Sequence, residues 1–118
     1  MTDLLHDKIA IVTGGVTGIG RAIALEYLKH GAKVAINHYP DPRSASQFEE
    51  MRREAGHKSD DLMAVPGDVA LPETGTRLVK ETVNRFGRLD IFVNNAGVCQ
   101  FEDFLKCVGL ESGTRRLR

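Results

Sequence analysis

The sequence predicts an α/β protein built on a doubly wound parallel sheet, and three observations carry that prediction. Four short runs with apolar, largely β-branched centres, at residues 9–13, 33–37, 62–66 and 90–94, alternate with longer helical patterns. At their centres the runs are continuously apolar, as strands buried on both faces are. A glycine cluster follows the first run directly, reading Thr13-Gly14-Gly15-Val16-Thr17-Gly18-Ile19-Gly20, and a strand that feeds a helix through such a turn opens a βαβ unit.

At the junction after strand 9–13, glycine can take positive φ and admit a ligand close to bare backbone, while the next helix aims unpaired N–H groups at it. An anion, most of all a pyrophosphate, suits that spot; a purely structural turn is the alternative. The spacing Gly14-x-x-x-Gly18-x-Gly20 differs from the G-x-G-x-x-G of ordinary dinucleotide folds. The helix at 21–30 is predicted to turn Ile19, Ala22, Ile23, Tyr27 and His30 to one side, with Gly31 ending it and Lys29 in its last turn. Strand 33–37 completes the first crossover. Asp41 and Pro42 read as an N-cap and first helical residue, and helix 43–55 carries Phe48 and Met51 inward before Gly56 stops it. Residues 57–61 are polar and read as a loop. Strand 62–66 ends on Pro66, which has no N–H for a ladder, and Gly67-Asp68-Val69 then leaves the sheet. The strongest amphipathic pattern, 72–86, places Leu78, Val79, Val83 and Phe86 on one face with Gly87 as its cap. Strand 90–94 is the last clear element.

At 118 residues, 42% hydrophobic and 27% charged, the chain is sized for one domain with a modest core. Sixteen basic residues balance sixteen acidic ones, so no global field draws nucleic acid or an anionic membrane. No apolar run approaches the roughly 20 residues of a bilayer span and no secretory pattern opens the chain, so a cytoplasmic protein is expected. Cys99 and Cys107 stand alone without zinc spacing, and His6, His30, His38 and His57 are scattered as surface or helix-end residues; no metal site is expected. Past Phe104 the pattern fails: residues 107–118 hold two glycines, no apolar stripe and three arginines in the last four positions. Residues 1–106 are read as the ordered domain and 107–118 as a divergent, disordered tail.

Three segments resemble motifs of the short-chain dehydrogenase/reductase family, in family order and at matching spacing: the glycine turn at 13–20, Asp68-Val69, and Asn94-Asn95-Ala96-Gly97. More narrowly, Leu4-Leu5, Asn37-His38, Leu71-Pro72-Glu73-Thr74-Gly75 and Asn95-Ala96-Gly97-Val98-Cys99 look like fungal sugar dehydrogenases of the L-rhamnose 1-dehydrogenase type. The resemblance implies a Rossmann-type sheet of strand order 3-2-1-4, truncated after strand four, with the cofactor across the switch between strands one and four. By that likeness Gly14, Thr17, Gly18, Ile19 and Gly20 cradle a pyrophosphate, Ile19 through its backbone N–H. Asp68 accepts a hydrogen bond from the adenine amino group, Val69 lies against the ring, and Asn95, Ala96 and Gly97 border the ribose and nicotinamide side. Thr13 and Asn94 either join this site or brace strands one and four.

Cofactor choice turns on the end of strand two, where a carboxylate selects NAD and an arginine attracts the additional phosphate of NADP. Here stand Asn37, His38 and Tyr39, with Arg43 the nearest certain cation, so the reading leans to NAD and leaves NADP open. The family's Tyr-x-x-x-Lys pair and serine are not found: Tyr27 precedes a lysine by two residues and Tyr39 has Arg43 four ahead. The likeness therefore implies the cofactor-binding half of an oxidoreductase acting on a sugar or polyol, inactive alone, from relatives that are homo-oligomeric. A truncated, frameshifted or spliced product would account for it, with strand four left as an aggregation-prone edge. A non-catalytic nucleotide-binding or interaction fragment is the alternative, and a flavodoxin-like phosphate binder a third.

Overall fold

The computed structural model describes residues 4–95, and these form a four-stranded parallel sheet with strand order β3-β2-β1-β4. In chain order the elements are β1 (Ile9–Thr13), α1 (Gly18–Lys29), β2 (Lys33–His38), α2 (Pro42–Ala55), β3 (Leu62–Pro66), α3 (Pro72–Phe86) and β4 (Ile91–Val93). A 3-10 helix, Gly56–Asp61, occupies the stretch expected to be a loop. It corrects that expectation: six polar or small residues between a helix end and a strand close into short i to i+3 turns, which need no apolar stripe.

The register pairs Val12 with Ile36 and with Val93, so β1 is flanked on both sides by β-branched residues near its carboxyl end. Every residue of β1 is buried, which explains its unbroken apolar run. Alternation along the strands divides the core in two. Val12, Val34 and Ile36 pack with Ala24, Leu28 and Met51 of α1 and α2, whereas Ile11, Ala35 and Val65 pack with Leu78 of α3. Each fully covered Ile or Leu contributes about 1.5–3 kcal/mol relative to exposure. β3 and β4, the outer strands among the described residues, are less covered; β4 is half-buried throughout.

Two helices present faces other than those expected. α1 buries Gly20, Ala24 and Leu28, an i, i+4, i+8 stripe, while Ile23 and Tyr27 are half-buried, Ala22 is exposed and Ile19 is 72% exposed. The reason is close approach: at the head of α1 only a residue without a side chain fits against the preceding turn, so glycine and alanine take the inner side. α3 buries Thr74, Leu78 and Thr82, and Val83 is exposed. The Thr82 hydroxyl donates to the Leu78 carbonyl at 2.6 Å, which satisfies its polar group within the helix and lets it occupy an interior position. α2 matches expectation: the Asp41 carboxylate accepts from the Ser44 N–H at 2.7 Å, Pro42 sits in the first turn, Met51 is buried and Gly56 ends the helix at φ 60°. The domain boundary at 106 and the tail at 107–118 lie outside the described residues.

Candidate functional site

Because all four strands are parallel, every strand ends at one rim, and the turns that leave it are tied together by hydrogen bonds. At the end of β4, Asn95 donates its backbone N–H to the Thr13 hydroxyl at 2.9 Å and its side-chain amide to the Gly14 carbonyl at 3.2 Å. Next along the rim, the Gly15 N–H donates to the Asn37 carbonyl at 3.0 Å. The Asn37 side chain then donates to the carbonyls of Val65 at 3.2 Å and Gly67 at 3.0 Å, and the Gly67 N–H returns to the His38 carbonyl at 2.9 Å. One connected network thus joins the glycine turn, the end of β2, the Gly67-Asp68 turn and Asn95.

The glycine turn is shaped by conformation and by space. Gly14 and Gly18 have φ of 61° and 56°, values a side chain disfavours. A Cβ on Gly20 would stand 2.2 Å from the Gly14 oxygen and 2.6 Å from the Asn95 amide nitrogen. Around Gly18, by contrast, an added Cβ would meet nothing within 4 Å. Thr17 occupies the N-cap of α1 without a side-chain capping bond, and the first turn of α1 carries no acidic residue. The leading N–H groups therefore keep their capacity to donate to an anion, at the positive end of the helix.

Beside this turn an open cavity of ≈ 370 Å³ runs to the N-terminus of α2, lined by Gly14, Thr17, His38, Tyr39, Arg43 and Ser44 among others. Gln47, one helical turn beyond Arg43, also lines it, as its i+4 spacing would have disclosed in the sequence. Among the described residues no carboxylate lines the cavity, and Arg43 is its one Lys or Arg. His38 corrects the surface placement expected of it: it is 5% exposed, its Nδ1 lies 2.7 Å from the Tyr39 carbonyl, and its ring stacks on Phe48 at 6.3 Å between centroids. Burial at the last position of β2, where side chains still alternate into the α1–α2 face, accounts for this.

Of the residues expected at a cofactor, Gly14, Thr17, Gly18, Ile19 and Gly20 form the turn and the head of α1, and Asp68, Val69 and Asn95 follow β3 and β4 at the same rim. Asn37 is 2% exposed, with its amide committed to Val65 and Gly67. Asp68 uses one carboxylate oxygen to accept from the Ala70 N–H at 2.9 Å. Thr13 joins β1 to β4: its hydroxyl donates toward the Asn94 side-chain oxygen at 3.3 Å while accepting from the Asn95 N–H. That geometry is the bracing arrangement of the two alternatives for Thr13 and Asn94. Ala96 and Gly97 lie outside the described residues. Among the described residues no group of three His, Cys, Asp or Glu could hold a metal, and no helix is long and apolar enough to cross a membrane.

A parallel α/β sheet of order 3-2-1-4, with a glycine turn at the helix that follows its first strand, defines the Rossmann class of folds. The family model for short chain dehydrogenases matches residues 8–109, and the chain belongs to that family. It is 48% identical over 106 residues to an L-rhamnose-1-dehydrogenase of Scheffersomyces stipitis, covering 90% of this chain and 41% of that protein. An L-rhamnose 1-dehydrogenase (NAD(P)(+)) of a Sphingomonas species is 42% identical over 102 residues, covering 86% and 39%. Among solved structures, a short chain dehydrogenase from Burkholderia cenocepacia in complex with NADP superposes with a TM-score of 0.71 at 37% identity, covering 80% of this chain and 37% of that one. The apo form of a glucose dehydrogenase of Caenorhabditis elegans gives a TM-score of 0.69 at 37% identity, with 80% and 40% covered. The chain thus spans about two fifths of the length of the relatives it matches.

Proposed function

We propose that the carboxyl rim binds a nicotinamide dinucleotide and that the chain supplies the cofactor-binding part of an oxidoreductase acting on a sugar or polyol at C–OH or C=O. The observation that carries this reading is the hydrogen-bond network in which Asn95, the Gly14-Gly15 turn and Asn37 link three strand ends. When bound, the nicotinamide supplies hydride transfer. The chain's own residues bind and orient it. The N–H groups at the head of α1, including that of Ile19, meet the pyrophosphate, with Gly18 giving close approach. Asp68, one oxygen held by Ala70, presents its carboxylate to the adenine amino group, with Val69 beside the ring. Asn95 fixes the Gly14 carbonyl beneath the turn, and Ala96 and Gly97 belong to the same proposal by motif. Asn37 acts by holding the β2 and β3 ends together, and His38 by forming one wall of the cavity.

The substrate class is inferred from the relatives, which include L-rhamnose 1-dehydrogenases, and no Tyr-x-x-x-Lys pair occurs in these 118 residues. That observation also supports a second reading, a non-catalytic nucleotide-binding or interaction fragment, which shares the same site. On the cofactor, where the sequence leans to NAD and leaves NADP open, the cavity supports use of both: with no carboxylate among its described lining residues and with Arg43 and Ser44 there, it has room for the 2′-phosphate of NADP as well as the free hydroxyl of NAD. Fluorescence titration with NADH and NADPH tests both points. Saturable binding of both is expected, with Arg43→Ala weakening NADPH by about tenfold, the scale of one charge-assisted contact, and NADH by less than about twofold. Failure of either nucleotide to bind the parent chain would refute the reading.

A further inference from the structure

β4 has three ladder residues, Ile91, Phe92 and Val93, all apolar and all half-buried. A strand with one apolar and one polar face resists slipping, because a one-residue shift turns its apolar set to solvent. β4 has no such contrast, so its own pattern does not specify its register against β1. Side chains at its two ends do. At the start, the Asp90 N–H donates to the Ile9 carbonyl at 2.9 Å, while an Asp90 carboxylate oxygen accepts from the Ile9 N–H at 2.9 Å. Arg88 Nε lies 3.1 Å and 2.9 Å from the two Asp90 oxygens, and its other arm donates to the Asp7 carbonyl at 2.8 Å. Asp7 itself is the one non-glycine described residue with positive φ, 62°, a conformation that local contacts must hold in place. At the far end stand the bonds of Asn95 to Thr13 and Gly14.

The geometry points to Asp90, with Arg88, as a register lock that positions the nucleotide turn from the opposite end of the sheet. Asn95 lies five positions beyond Asp90, about 16 Å along extended chain. A two-residue slip keeps the facing of β4 but carries Asn95 about 6–7 Å, far outside the 3.2 Å contact that holds the Gly14 carbonyl. Asp90 touches no ligand; it is a positioning residue that acts through Asn95. The inference rests on the nucleotide reading for its effect on binding, but the lock itself has a readout without nucleotide.

The experiment compares Asp90→Ala (D90A), Asp90→Asn (D90N), Asn95→Ala (N95A) and D90A/N95A in the 118-residue chain. Amide exchange at Asn95, whose N–H is bonded to Thr13, should be at least about tenfold faster in D90A and near parental in D90N, whose amide oxygen still accepts from Ile9. NADH affinity should fall about tenfold in D90A, and the double variant should bind no more weakly than N95A, because residues so far apart add unless one works through the other. Parental exchange in D90A, or additive losses in the double variant, would overturn the lock. Should D90A not fold, Arg88→Gln replaces it: faster exchange at Asn95 supports the lock and parental exchange overturns it. If the parent chain binds no NADH, the proposed function fails, and the exchange rates alone decide the lock.

Discussion

Replacing Gly20 by alanine tests whether the glycine turn is shaped by contact with Asn95 as well as by backbone conformation. Glycine to alanine inside a helix ordinarily stabilises by about 0.5–1 kcal/mol, so the unperturbed expectation is a gain. Here the added methyl would lie 2.2 Å from the Gly14 oxygen, 3.0 Å from its carbon and 2.6 Å from the Asn95 amide nitrogen. Ordinary contact begins near 3.4 Å, so the turn or the helix must move by about 1 Å, and the atoms in the way are mostly backbone. Overpacking of that kind costs about 1–3 kcal/mol, and loss of the Asn95 to Gly14 hydrogen bond about 1 kcal/mol more. The net is a destabilisation of about 1–3 kcal/mol, which for a domain of this size lowers Tm by roughly 5–20 °C. Thermal unfolding followed by circular dichroism measures it, and NADH titration should show at least about a tenfold loss of affinity, since 1 Å displaces the phosphate-facing amides. Gly87→Ala is the control: its φ is 96° with nothing within 4 Å, so it should destabilise by strain alone and leave nucleotide binding unchanged. A Gly20→Ala chain that melts at or above the parent and binds NADH equally would refute the reasoning.

Asn37→Ala should lower stability by about 1–3 kcal/mol, because it takes the side-chain donor from the buried Val65 carbonyl and the half-buried Gly67 carbonyl; chemical denaturation with an unchanged m-value checks this. The Ser44 N–H holds the Asp41 carboxyl below the ordinary range, and the Ile9 N–H, with Arg88 adding to it, does the same for Asp90. Depressed folded-state values mean that their stabilisation is present above the unfolded value, about pH 4, and is lost as pH falls through the folded ones. Tm should therefore be flat near neutrality and fall in acid, and an Asp41→Asn/Asp90→Asn chain should show a shallower acid limb; an unchanged limb would contradict the assignment. Thr82→Val should leave the unfolding free energy within about 1 kcal/mol of the parent, since among the described residues the hydroxyl is satisfied by its own helix, and a larger loss by calorimetry would point to a further partner for that group.

The strands could be read from the sequence because parallel strands in a covered sheet are continuously apolar at their centres, and residues 9–12 and 34–36 are. The punctuation of α2 was equally plain in Asp41, Pro42 and Gly56, whose effects are local. Helix faces were less so. Apolar periodicity selected Ile19 and Val83, but what faces the sheet is decided by how closely a helix approaches it, and that rewards Gly20 and Ala24 in α1 and a self-satisfied Thr82 in α3. The 3-10 turn at Gly56–Asp61 has no stripe to announce it. For the rim, three short motifs pointed to strand ends that the structure ties together, yet no spacing in the sequence reveals that Asn37 spends its amide on the Val65 and Gly67 carbonyls or that Asn95 supports the Gly14 carbonyl. Those are tertiary hydrogen bonds, set by register rather than by local pattern. Arg43 stood out only as a cation; its place in the cavity follows from where α2 begins.

One ligand site built from all three turns must respond to nucleotide as a unit. Two-dimensional amide spectra of the chain titrated with NADP⁺ would decide it: the account predicts that Ile19, Val69 and Asn95 shift together with a common midpoint, as one ligand touching all three turns requires. Shifts confined to the glycine turn, different midpoints among the three, or no shift at all would contradict it.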